Sequence, residues 1–143
     1  MSFLSLITQR QSVRKYSEKP VEPEKIQLCL EAARLAPSAS NSQPWKFIIV
    51  DNPSLCRQVA ESTFDSVLTF NRFTIQAPVM VVIIAEHQGI LTRLGSSIKK
   101  LDYKLIDVGI AAEHFCLQAS ELGLGTCMIG WFNEKKIKKI LHI

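Results

Sequence analysis

The chain has 143 residues, a formal net charge of +4 and an apolar content of 47%, values that fit one globular domain and are too hydrophobic for disorder. The longest apolar run, 77–85, is far shorter than the ~20 residues of a membrane-spanning helix, so we expect that the chain does not span a membrane. Four lysines at 135–139 equal the whole positive excess. A solvated helix face is therefore favoured over a nucleic-acid surface.

Hydrophobic spacing and capping residues predict alternating helices and strands. Helices are expected at 3–9, from Pro23 until Pro37, at 53–61, at 101–122, and after a cap at Asn133 with Ile137, Ile140 and Leu141 inward. Strands are expected at 47–50, 79–84 and 126–131, the second of them fully buried. This order predicts a single α/β layered domain over residues 1–143.

The segment from Leu101 to Leu122 gives the strongest helix signal, with Gly123 placed to end it as a left-handed cap. Its apolar residues form two rows, which predicts a central core helix or a subunit interface. The first row is Leu101, Leu105, Val108, Ala112, Phe115, Ala119 and Leu122, and the second is Ile106, Ile110 and Leu117.

The cysteines and the N-terminus predict a reducing, cytoplasmic setting. Cys29, Cys56, Cys116 and Cys127 are widely spaced, and Cys29 and Cys116 lie among apolar residues, as buried thiols do. Residues 1–10 lack the basic and apolar regions of a signal peptide. Reduced thiols are typical of the cytoplasm.

Several common site motifs fail on inspection. Gly123 and Gly125 resemble the start of a dinucleotide fingerprint, but Met128 stands where the third glycine belongs, and the segment precedes a strand instead of a helix. His87, His114 and His142 have no metal-ligand spacing, so we expect no metal. No phosphate loop or nucleophile elbow is present in the sequence.

Two polar clusters remain as candidate sites. Arg10, Ser12 and Arg14 could form an anion site, because guanidinium groups bind phosphate oxygens through two parallel hydrogen bonds, although a plain basic surface patch is the alternative. The second cluster, 36–45, joins a helix to a strand. Asn41 and Gln43 there offer donors and acceptors, and Trp45 is expected to anchor the loop to the core, although ordinary turn chemistry is the alternative.

Together these clusters resemble the FMN-dependent nitroreductase family. Four matches in register carry the resemblance: Arg-x-Ser-x-Arg-x-Tyr at 10–16, Pro-Ser-x-x-Asn-x-Gln-Pro-Trp-x-Phe at 37–47, Asn71 ahead of Ala77-Pro78, and the segment 109–131 with Gly-Leu-Gly-Thr and Ile-Gly-Trp. The resemblance implies a nitroreductase-like layered sheet flanked by helices, in the α/β (α+β) class. It also implies a homodimer with FMN sites at the subunit interface.

By that resemblance, several side chains would bind the flavin. Arg10 and Ser12 would hold the FMN phosphate and ribityl end, with Gln11 in the same segment, and Arg14 would lie by the pyrimidine side. A cation there would favour the negative charge left by hydride addition. Asn71 would hydrogen-bond the same polar edge.

The resemblance also assigns two main-chain segments to the flavin. Pro37, Ser38, Ala39 and Ser40 would pack on the dimethylbenzene side from the partner subunit, with Asn41 and Gln43 organising that loop. Ile129, Gly130 and Trp131 would lie by the reactive N5, where backbone amides can donate. No catalytic side chain is expected, because the chemistry belongs to the flavin.

The activity implied is an NAD(P)H-dependent oxidoreductase that reduces nitroaromatics, quinones or similar small acceptors by a ping-pong mechanism. Acceptor pockets are expected in the loops 62–76 and 86–102. By the same resemblance, this sequence ends before a C-terminal strand, a basic residue for the phosphate and a tail that wraps the partner. A lower FMN affinity is expected from that difference.

Three alternatives stay open from the sequence. The protein could bind or sequester a flavin with little turnover. It could carry a related flavin chemistry, such as dehalogenation, because the same binding residues serve it. A basic nucleic-acid-binding domain using the lysines at 135–139 is the third, but it lacks the exposed aromatic platform of such domains.

Overall fold

The computed structural model describes residues 2–86 and 103–143. The chain forms two compact units, the first from Met1–Arg10, Glu22–Ile48 and Val82–Leu124, and the second from Gln11–Val21, Ile49–Val81 and Gly125–Ile143. The expectation of a single domain stays a prediction. Leu101, His87 and nearly all of the expected acceptor loop 86–102 lie outside the described residues.

The helices begin and end close to the predicted positions. They are α1 (Phe3–Gln9), α2 (Pro23–Arg34), α3 (Pro53–Ala60), α4 (Tyr103–Glu121) and α5 (Glu134–Leu141), with short 3-10 helices at Ala39–Asn41 and Arg72–Gln76. The caps explain the agreement: Asn52 and Asn133 accept backbone N–H groups at the starts of α3 and α5, and Gly123 has a φ of 76°. Within the described ranges, no helix is both long and apolar enough to cross a bilayer.

Two strands, β1 (Trp45–Val50) and β2 (Met80–Ala85), pair into a small antiparallel sheet. The mixed α/β class is therefore confirmed. The prediction that 79–84 is fully buried is wrong, because β2 is only half-buried along most of its length. A fully buried strand is typical of a sheet interior, whereas within the described residues β2 has one neighbouring strand, β1, and lies at an edge.

The third predicted strand, 126–131, is absent from the described part of the chain. Thr126 forms only an isolated parallel bridge with Ser12, in which the Val13 N–H donates to the Thr126 carbonyl over 2.9 Å. A strand needs a continued ladder of such bonds. Within the described residues, the segment 126–131 therefore contributes a single bridge and no strand.

In the first unit, α2 packs against α4, and α1 also contacts α4. At the start of α4, Leu105 and Ile106 of the predicted apolar rows are 63% and 48% exposed, which fits the subunit-interface alternative better than the core. The buried face of α4 consists mainly of small side chains, which permit close packing against another helix. It consists of Asp107, Ala111, Ala112, Phe115, Cys116 and Ala119.

The prediction that Cys29 and Cys116 are buried is confirmed. Burial raises the pKa of the Cys29 thiol to about 11, with a smaller contribution from nearby Cys116. A neutral thiol of this kind is a poor nucleophile. Cys29 therefore acts as a small apolar side chain between the helices.

In the second unit, α3 packs against the 3-10 helix Arg72–Gln76 and against α5. The buried residues include Cys56 and Val59 of α3 and Ile137 of α5. The hydroxyl groups of Thr63 and Thr74 lie 3.0 Å apart and form a buried hydrogen bond. These contacts fix the segment around Asn71, the residue that the family resemblance assigns to the flavin site.

Candidate functional site

Arg10 follows α1 and faces α4 within the first unit. Its Nε lies 3.2 Å from Glu113 Oε1, and its side chain is only 17% exposed. The distance is that of an ion pair, although the angle at Nε lies outside the range of a hydrogen bond. Charge therefore holds the guanidinium in place, and a fixed guanidinium can bind an anion through its terminal N–H groups.

The rest of the first predicted cluster lies in the second unit. Gln11, Ser12 and Arg14 are exposed, and Arg14 Nη1 donates to the Ser12 carbonyl over 3.3 Å. The bridge between Ser12 and Thr126 fixes the backbone of this segment. The segment therefore has a fixed main chain and exposed polar side chains, as an anion site requires.

Gly125 is required by a close approach of two segments in this unit. A Cβ at Gly125 would lie 2.9 Å from Val13 Cγ2 and 3.0 Å from both Val13 Cβ and Val13 Cγ1. These distances are shorter than normal van der Waals contacts, and a β-branched valine has little freedom to turn away. Glycine at 125 thus allows the bridge between Ser12 and Thr126 to form.

We expect Gly125→Ala to lower the free energy of unfolding by about 1–3 kcal/mol, because the added methyl group overpacks Val13. Urea unfolding measures the change. The double variant Val13→Ala/Gly125→Ala is expected to recover part of the lost stability, because alanine at 13 leaves more room for the methyl group at 125. Losses that simply add in the double variant would argue against this contact.

The loop 37–43 lies in the first unit and is fixed by its own hydrogen bonds. The Gln43 N–H donates to Ser38 Oγ over 2.9 Å, and Gln43 Nε2 donates to the Arg34 carbonyl over 3.2 Å. Pro37, Ser40 and Asn41 are exposed, while Ser38 and Ala39 are half-buried. The loop therefore presents main chain and small side chains on a fixed frame.

Three loop residues adopt the left-handed region without being glycine. Ser40, Asn41 and Gln43 have φ values of 53°, 52° and 43°. Such conformations cost energy and persist where neighbouring contacts impose them. The predicted anchor, Trp45, is only half-buried, whereas the side chain of Pro44 is fully buried and fastens this end of the loop.

Asp107 of α4 is a site residue that the sequence reasoning missed. It is 4% exposed, and its Oδ2 accepts the Ala39 N–H over 3.1 Å. The sequence did offer one signal for this role: Asp107 lies four residues before Ala111, so both fall on the same face of α4, which is buried. Charged groups on such a face normally have a specific partner.

Asn71 lies in the second unit and is 6% exposed. Its Nδ2 donates to the carbonyls of Thr63 and Trp131, each over 3.1 Å. Ile129 is half-buried, and Gly130 and Trp131 are exposed. Asn71 therefore fixes the main chain at the end of the 129–131 segment, and its amide keeps only Oδ1 for a ligand.

The predicted flavin-binding residues thus form one group of contacts in the first unit and another in the second. In the first unit, α4 contacts both Arg10 and the loop 37–43. In the second unit, the bridge joins residue 12 to residue 126, and the Asn71 amide holds residue 131.

Comparisons with known proteins identify the family and the fold. Residues 7–143 match the model of the Nitroreductase family. A nitroreductase family protein from Clostridium novyi has a structure with a TM-score of 0.85 and 31% identity, covering 100% of this chain and 77% of that one. An FMN-dependent nitroreductase from Clostridium difficile gives a TM-score of 0.76 and 31% identity, covering 98% and 78%.

Sequence relatives point the same way. The oxygen-insensitive NADPH nitroreductase of Helicobacter acinonychis is 26% identical, and the match covers 95% of this chain and 77% of that protein. The chain thus spans about three quarters of the length of each of these three proteins. With a family match over nearly all of its residues, the chain belongs to the nitroreductase family and is a nitroreductase-like oxidoreductase.

Proposed function

We propose that this protein binds FMN and uses NAD(P)H to reduce nitroaromatics, quinones or similar small acceptors. Nitroreductase family members generally depend on FMN and NAD(P)H. The single observation that carries the proposal is Arg10, a largely buried guanidinium that its ion pair with Glu113 holds in place. A guanidinium fixed in this way can bind phosphate oxygens through its terminal N–H groups.

The other residues fit a phosphorylated flavin by their chemistry. Arg10 would bind the phosphate, and the exposed Gln11 and Ser12 offer polar groups for the phosphate and ribityl end. Arg14 supplies a positive charge for the pyrimidine side. Asn71 Oδ1 is an acceptor, which suits an N–H group of that ring.

Main-chain segments complete the proposed site. The loop 37–43 would contact the dimethylbenzene side with small residues, and its conformation is already fixed by Ser38 and Gln43. Ile129, Gly130 and Trp131 would place backbone amides near the reactive position. Bound FMN supplies reversible two-electron chemistry, and the protein residues bind it, orient it and stabilise charge.

Exposed apolar side chains of the first unit support a homodimer. Phe3 and Leu4 of α1 are each 70% exposed, and Leu105 of α4 is also exposed. Large apolar side chains on a surface are typical of interaction sites when they form a patch. Because family members generally act as dimers, we assign this surface to a second copy of the chain, from which the loop 37–43 would reach the flavin.

The turnover proposed is ping-pong, with NAD(P)H and the acceptor binding in turn. This order needs no side-chain nucleophile, since the backbone amides at 129–131 and the arginines at 10 and 14 only bind the flavin and stabilise charge. The four cysteines are free thiols, three of them buried. Free thiols favour a reducing, cytoplasmic setting.

The absorption spectrum of the purified protein tests the proposal. We expect a yellow protein whose visible absorbance is lost on anaerobic addition of NADH or NADPH and returns on addition of a quinone or nitroaromatic. Sedimentation of the same sample should show a dimer. A colourless protein that takes up no added FMN would falsify the proposal, and FMN bound without any response to NAD(P)H would favour a flavin-sequestering protein.

A further inference from the structure

Asp107 occupies a position where a carboxylate is unexpected. It lies on the buried face of α4 among alanines, Phe115 and Cys116, and it is 4% exposed. Removing a carboxylate from water is costly unless a specific donor compensates. The donor here is the backbone N–H of Ala39, 3.1 Å away and 68 positions distant in sequence.

The bond falls at the start of the strained part of the loop. Ala39 is the first residue of the 3-10 helix Ala39–Asn41, and an N–H at a helix start has no partner within the helix. The next residues, Ser40 and Asn41, have positive φ values. The bond to Asp107 adds to the hydrogen bonds within the loop and joins its strained part to α4.

We propose that Asp107 is a positioning residue that holds the loop 37–43 in its flavin-binding conformation. This inference rests on the proposed function, in which the loop contacts FMN. Asp107 itself is buried and touches the loop backbone, so it acts through Ala39. Preorganisation of this kind raises affinity because binding does not have to order the loop.

A purely structural role would give a different pattern from a positioning role. His114, on the same helix, provides the matched control, because its Nδ1 lies 3.2 Å from the Ala32 carbonyl of α2 and has no bond to the loop. Both side chains join α4 to the main chain of another element. Removing either one lowers stability, but of these two side chains Asp107 is the one that bonds to the loop.

The experiment compares wild type, Asp107→Asn, Asp107→Ala and His114→Ala. FMN dissociation constants come from fluorescence titration, and hydrogen exchange of the Ala39 amide is measured without FMN. We expect Asp107→Ala to raise the dissociation constant roughly tenfold or more and to accelerate Ala39 exchange. Asp107→Asn keeps a carbonyl acceptor and should remain within a few-fold of wild type, and His114→Ala should change neither readout by more than about twofold.

Two results would overturn the inference. One is an Asp107→Ala protein with wild-type FMN affinity and unchanged Ala39 exchange. The other is loss of FMN in proportion to stability for Asp107→Ala and His114→Ala alike. Failure of the wild-type protein to bind FMN contradicts the proposed function instead, and the exchange of Ala39 then still decides whether Asp107 fixes the loop.

Discussion

Replacing Arg10 with alanine is expected to raise the FMN dissociation constant about 100-fold. Hydrogen bonds to charged groups contribute roughly 1.5–3 kcal/mol each, and a two-pronged contact between arginine and phosphate combines two of them. The side chain is largely buried, so solvent and salt screen the interaction little. Fluorescence titration with FMN measures the change, and riboflavin, which lacks the phosphate, should bind both proteins alike.

Arg57→Ala is the matched control for this experiment. Arg57 is an exposed arginine of α3 that pairs with Glu61 at 3.1 Å, so its removal changes the net charge by the same amount. An exposed pair of this kind contributes little to stability. FMN affinity should stay within about twofold of wild type in this variant. Equal losses in both variants would mean that overall charge, and not Arg10, attracts the phosphate.

Local signals explain which parts of the fold could be predicted. Pro23 and Asn133 mark helix starts through interactions within one turn, and Gly123 marks an end through its own backbone conformation. Such residues act on their immediate neighbours in sequence. The helix positions were therefore predictable from one sequence alone.

Features that depend on distant partners were not predictable in the same way. The segment 126–131 has strand-forming residues, but within the described residues only Thr126 finds a backbone partner. The buried face of α4 is set by packing against α2, which places Asp107 inward and leaves Leu105 exposed. Contacts between residues far apart in the sequence determine both the missing strand and the buried face of α4. The spacing of residues along the chain does not reveal such contacts.

The candidate site shows the same division. The motif at 10–16 indicated an anion site, but not that Glu113 would hold Arg10. Asn71 was expected to hydrogen-bond the polar edge of the flavin, and the contacts add that its nitrogen donates to two backbone carbonyls, which leaves Oδ1 for that role. Residue type thus identified the candidates, and only the folded contacts show how each one is held.

Asn71→Leu is expected to lower the free energy of unfolding by about 2–4 kcal/mol. Leucine preserves the approximate volume but removes both N–H donors, and the carbonyl that Thr63 contributes to this buried hydrogen bond is left without its partner. The Trp131 carbonyl loses the same anchor. In the proposed site this frees the 129–131 segment, so kcat/KM for NAD(P)H should fall about tenfold or more. Urea unfolding and steady-state kinetics with saturating FMN measure the two effects.

The control separates stability from positioning of residues 129–131. Asn52→Ala removes the cap of α3, where Asn52 Oδ1 accepts the N–H groups of Ser54 and Leu55, and should cost about 1 kcal/mol. It leaves the bonds of Asn71 intact, so kcat/KM should remain near wild type. If Asn71→Leu loses stability but keeps full kcat/KM, then Asn71 only stabilises the second unit. If it loses both while Asn52→Ala loses stability alone, the Asn71 amide serves the reaction, through the main chain at Trp131 or through its Oδ1.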